Sequence, residues 1–104
     1  MKPVVNIFDK RLLVGDWFGI TSVGGLGIVQ LCLNDGGRVK FVDYGRGEEI
    51  SGTYNIVDDE LMIRSTVSCA KRRWRIVSVR PERIVFYFPE LDSEVSFHPD
   101  RLAQ

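Results

Sequence analysis

The sequence predicts an all-β fold: a small antiparallel β-barrel of about seven or eight short strands, with at most a short N-terminal helical turn. Three observations carry this. Apolar residues alternate with period two in almost every segment, the signature of a half-buried strand, and scarcely recur at helical spacing. Glycine pairs, an aspartate pair and prolines punctuate those segments at regular intervals, as a run of hairpins requires. Pro3, Pro81, Pro89 and Pro99 all fall at segment ends, where no ladder hydrogen bond is lost.

Taken in order, residues 6–13 have room for one helical turn capped by Asn6 or Asp9. Residues 12–20 read as the first strand, and a glycine-rich run, Gly24-Gly-Leu-Gly27, leads into the second. Residues 28–33 place Val29, Leu31 and Leu33 on one face, with Gln30 and Cys32 on the other. Gly36-Gly37 then supplies a hairpin turn in which positive φ is cheap. Residues 38–43 alternate basic with apolar, so Val39 and Phe41 face one core, and residues 44–48 turn the chain again. Residues 50–56 bury Ile50, Tyr54 and Ile56; Asp58-Asp59 is a tight turn, and Leu61 and Ile63 resume the alternation. A looser connection over 67–71 precedes Trp74 and Ile76, which alternate with Arg73 and Arg75. Residues 80–83 turn around Pro81, residues 84–88 form an aromatic strand, and Val95 and Phe97 point inward from the last one.

The chain of 104 residues is one domain's worth, 1–104, without repeat or linker. Its 14 Lys+Arg balance 14 Asp+Glu, which removes the simplest argument for nucleic acid or an anionic membrane surface as a partner. No stretch is apolar enough to insert into a bilayer, and the N-terminal residues lack the pattern of an export signal. Cys32 and Cys69, at a spacing unlike any metal knuckle or redox pair, therefore read as free thiols in a reducing, cytoplasmic setting.

Leu13-Val-Gly-Asp-Trp17, ahead of a glycine-rich loop and a run of hairpins, resembles the opening of lipocalin-like (calycin-type) barrels, in which a Gly-x-Trp motif closes one end; Gly15 and Trp17 match it. Gly52-Thr-Tyr54, Leu61-Met-Ile63 and Trp74-Arg-Ile76 are similar to strands of the small bacterial lipocalin-like domains. The Thr-Asp-Tyr motif of lipocalins proper is missing, and Arg101 stands outside the strand register expected of their C-terminal Arg. The resemblance implies a barrel whose interior or mouth holds a small apolar or amphipathic ligand, with the glycine-rich run as a lid over that mouth. An eight-stranded barrel has room for one small ligand or for its own side chains. Trp17, Phe41, Tyr54, Trp74 and Phe86 are the candidate ligand-binding residues. Gly25-Leu-Gly-Ile28 is also similar to the carboxylate-binding loop of PDZ domains, but no amphipathic helix follows to complete such a groove.

The inventory for catalysis is thin. His98 is the lone histidine, and His98, Cys32 and Cys69 are too scattered for the three or four ligands of a metal site. The acidic runs at Glu48-Glu49 and Asp58-Asp59-Glu60 fall in expected turns, away from the desolvation that raises a general acid's pKa. Asp16, on a strand apolar on both sides, is expected to face solvent. No catalytic residue, metal or cofactor is assigned. Charge, in contrast, is segregated. Residues 71–83 carry Lys71, Arg72, Arg73, Arg75, Arg80 and Arg83 against Glu82, whereas residues 84–100 carry Glu90, Asp92, Glu94 and Asp100 with no Lys or Arg. Cross-strand pairing is expected to neutralise much of the basic cluster. Arg73 and Arg75, which project from one strand face opposite Trp74, are expected to form a recognition surface.

The functional expectation is a non-catalytic lipocalin-like binding protein for a small apolar or amphipathic ligand or a macromolecular partner. The alternative is a cytoplasmic interaction or inhibitor module that docks an acidic protein, or another anionic partner, through the Arg-rich strand face.

Overall fold

The structure, a computed structural model, describes residues 10–21 and 27–99. The expected caps Asn6 and Asp9, the lid and PDZ-like readings of residues 24–26, and Arg101 lie outside the described residues. Lys10–Leu13 forms a 3-10 turn, and eight strands follow: β1 (Gly15–Thr21), β2 (Gly27–Leu33), β3 (Arg38–Asp43), β4 (Glu48–Val57), β5 (Glu60–Ser65), β6 (Lys71–Arg80), β7 (Arg83–Phe88) and β8 (Ser93–Pro99). Each pairs antiparallel with the next, and β1 pairs with β8 to close the barrel. This is the all-β architecture expected, and it is compatible with a lipocalin-like fold. The β1–β8 seam is short among the described residues. It registers Trp17 with Pro99, Phe18 with His98 and Gly19 with Phe97, whereas β1–β2 registers along the whole of β1.

Period-two alternation sets the inside of the barrel. Val29, Leu31 and Leu33 of β2, Val39 and Phe41 of β3, Leu61 and Ile63 of β5 and Trp74 and Ile76 of β6 all belong to one buried cluster with Ile84, Phe86, Phe88, Val95 and Phe97. Leu13, fully buried, plugs one end, where the Trp17 indole Nε1 donates to the Leu13 carbonyl at 2.9 Å. That hydrogen bond explains why the first strand begins later than expected: the chain is still curling through the 3-10 turn at Leu12, and Gly15 (φ +144°) makes the bend into β1.

Three further expectations change. The Gly36-Gly37 turn uses positive φ only at Gly37 (+84°); the rest of its geometry comes from the Asn34 side chain, which accepts from the backbone N–H groups of Gly36 and Arg38. Tyr54 and Ile56 are half-buried, not buried, because β4 runs on past the core. There the Tyr54 hydroxyl donates to the Asn34 carbonyl at 2.6 Å, an interaction that suits an amphipathic ring at a barrel end. Finally, β6 continues to Arg80 through a register shift between Ile76 and Ser78, an irregularity that hydrophobic alternation does not announce.

Candidate functional site

Four of the five aromatic candidates for ligand contact are buried. Trp17 sits at the plugged end, and Phe41, Trp74 and Phe86 pack together in the middle of the barrel. Trp74 stacks on Phe88 with ring centroids 4.1 Å apart, Phe41 meets Trp74 edge-on at 4.8 Å, and Phe86 meets Phe97 edge-on at 5.7 Å. These are the offset and edge-to-face geometries in which rings attract one another, so the candidates serve each other as packing partners. Tyr54 stands apart from them, partly exposed.

Above this aromatic floor the inside of the barrel turns polar. Thr21, Asp43 and Ser65 are buried at the last positions of β1, β3 and β5, all at the end away from Leu13. Arg72, two residues before Trp74 and on its side of β6, completes the layer. Its guanidinium meets Glu48 at 2.7 Å and Glu90 at 3.6 Å, and Glu90 also accepts the Trp74 indole N–H at 2.9 Å. One cation thus clasps the starts of β4 and β6 to the turn after β7. Sequence reasoning placed Glu48 in a turn. It opens β4 instead, because Gly47 (φ +67°) ends the turn one residue earlier and the strand alternation then aims Glu48 at the mouth.

The outer face of β4, β5 and β6 is different in character. Arg73 and Arg75 project outward as expected, but among the described residues they do not pair with the acids of the 84–99 segment, whereas Arg72 does. Arg73 stands 3.9 Å from Glu60, a loose contact with both groups well exposed, and the Arg75 guanidinium lies over the Tyr87 ring, 5.4 Å from its centroid. Alongside them the register places Arg38 opposite Thr53, Thr53 opposite Arg64 and Arg64 opposite Lys71, one row of side chains across β3 to β6. Arg38, Arg64 and Lys71 have no acidic partner among the described residues. Thr53, Asn55, Met62, Arg64, Lys71 and Arg73 line a groove of about 460 Å³ on this face. Arg64 escaped the sequence reading because it lies outside the 71–83 run. Its signal was present, since strand pairing of 60–65 with 71–75 sets the two cations opposite each other.

Asp16 and His98 are both exposed, and His98 lies opposite Phe18 at the seam. Cys32 is half-buried and Cys69 exposed, and no disulfide joins them. Among the described residues no group of three or more His, Cys, Asp or Glu side chains converges as a metal site, and no helix is long and apolar enough to cross a membrane. Comparison with protein-family models, with curated proteins and with solved structures finds no match.

Proposed function

We propose that this barrel is a non-catalytic, cytoplasmic interaction module of lipocalin-like build that docks an acidic partner through the outer face of β5 and β6. One observation carries the reading: Arg64 and Lys71 stand side by side without acidic partners among the described residues, beside Arg73, around a groove of about 460 Å³, while the interior aromatics fill space against each other. Like charges directly opposite on neighbouring strands destabilise a sheet. An acidic partner would turn that repulsion into attraction, and Arg-rich faces suit carboxylates because the planar guanidinium binds them through two parallel hydrogen bonds.

A labelled octaglutamate peptide tests this by fluorescence anisotropy. Binding is expected at low salt, with steep weakening as ionic strength approaches the physiological range, where the screening length is about 8 Å. The Arg73→Glu, Arg75→Glu double variant should abolish it with the melting temperature almost unchanged. Binding that survives the double reversal would defeat the proposal.

A second reading rests on the mouth. The polar layer of Thr21, Asp43 and Ser65 under the Arg72 clasp, above the Trp74–Phe88 stack, is the kind of rim that would orient the polar end of a small amphipathic ligand. Native mass spectrometry of protein purified from its expression host separates the readings, since a ligand held at the mouth would appear as a constant added mass that the outer-face variants leave in place.

A further inference from the structure

We infer that the groove is a seat for a phosphomonoester, and that its partner is an acidic segment carrying a phosphorylated side chain; this rests on the docking reading above and specifies it. The argument starts from the row Thr53–Arg64–Lys71. Directly opposed residues on antiparallel strands have Cβ atoms about 4.5–5.5 Å apart, so Arg64 and Lys71 enter one volume of solvent, the groove, side by side. Arg73, two residues after Lys71 on the same outward face, closes that volume from a second side, and Thr53 brings a hydroxyl from the third strand. The loose Arg73–Glu60 contact, at 3.9 Å, is the only ion pair the groove cations make among the described residues apart from the Arg72 clasp, whose head points to the mouth.

Charge and donor count select the guest. A carboxylate brings one negative charge and a flat pair of oxygens, which satisfies a single guanidinium fork. A phosphorylated Ser, Thr or Tyr brings a charge of about −1.5 to −2 and three acceptor oxygens arranged tetrahedrally. Three cations and a hydroxyl meeting from three strands match the second group: one oxygen for the Arg64 fork, one for the Lys71 ammonium, one for Arg73, with the Thr53 hydroxyl as an additional donor. The neighbouring cation Arg38, across Thr53 in the same row, extends the positive field along the path that flanking acidic residues of the segment would follow. The described strands close into a barrel, and the groove lies on the face of β4 to β6 rather than at an edge, so recognition falls to side chains.

The test compares three labelled peptides of identical length by anisotropy: Glu-rich with a central serine, the same with phosphoserine, and the same with glutamate in its place. The phosphoserine peptide should bind at least tenfold more tightly than either of the others. R64Q and K71Q should each remove most of that preference and keep or raise the melting temperature, since each relieves a cross-strand repulsion. Equal binding of the three peptides would overturn the phosphomonoester seat and leave the acidic-partner reading standing. Failure of all three to bind would overturn both. A single-stranded oligoribonucleotide that binds as tightly as the phosphopeptide and is lost in the same variants would also overturn the inference, assigning the groove to phosphodiesters.

Discussion

Two tyrosine phenols hold their protons more tightly than a free phenol does. The Tyr87 hydroxyl donates to the Asp92 carboxylate, and this hydrogen bond, helped by partial burial and the Asp92 charge and opposed by nearby Arg75, raises the phenol above its ordinary value. Tyr54 is raised as well, by burial first and then by the charge of Asp35. A phenol whose folded pKa lies above its unfolded value of about 10 holds its proton more tightly in the folded state. Its contribution to stability is therefore complete below about pH 10 and is lost as pH climbs through the raised value. The melting temperature should stay flat from neutral pH to about 9.5 and then fall, and the Tyr54→Phe, Tyr87→Phe double variant should fall less over the same interval. Trp17 acts through a different atom. Replacing it with Phe keeps a ring at the plugged end but strands the buried Leu13 carbonyl, an expected loss of about 1–3 kcal/mol in urea unfolding. The sequence named Trp17 as a residue that closes one end, and that placement was legible from Gly15-x-Trp17. The partner of the indole was not, because the carbonyl it meets belongs to a 3-10 turn that the expected strand over 12–20 would have straightened.

Strands were readable where one face is wet. In β3, β5 and the middle of β6 buried residues alternate with exposed or half-buried ones, and the sequence showed this directly. The register shift in β6 and the continuation of β4 beyond its buried stretch were not readable, because neither alters the local sequence pattern; each is set by what the neighbouring strand does. The charge pattern was half legible for the same reason: Arg73 and Arg75 could be assigned outward by alternation alone, whereas the Arg72 clasp depends on Glu48 and Glu90, which come from elements distant in the chain. Gly52 makes the point in reverse. It appeared in the sequence only as part of a family-like Gly-Thr-Tyr strand, yet a Cβ there would sit 1.9 Å from the Arg64 carbonyl oxygen, backbone that has no means of swinging aside. Gly52→Ala should therefore cost at least the roughly 1–3 kcal/mol of an overpacked core, or prevent folding. Gly47→Asn is the matching control. It has positive φ but nothing within 4 Å, and Asn tolerates that conformation, so its unfolding midpoint should move little.

At the scale of the whole barrel, stability divides between a rigid aromatic middle and two differently secured ends. Leu13 and Trp17 close one end with apolar packing, whereas the other is held by Arg72 reaching to two acids on separate hairpins. Arg72→Met should lower the melting temperature by only a few degrees, because these charges are partly exposed and such pairs contribute roughly 0–1 kcal/mol. Its larger effect should be faster amide exchange at the start of β4 and of β6, read by mass spectrometry. All the strand pairings join neighbours in sequence except β1 with β8, which closes the two ends of the strand order, so refolding should wait on that non-local closure and take milliseconds to seconds. The short seam has a further consequence. A ring of strands is protected from sticking to other chains only while it remains a ring, and the β1–β8 seam, with three registered pairs among the described residues, is where the two ends of the strand order meet. A barrel that opens there becomes, for that moment, a flat sheet with two unpaired borders. Two such open copies would close on each other, exchanging borders into an intertwined dimer, so the hold of that seam bears on how readily strands are traded between copies when the protein is concentrated or warm.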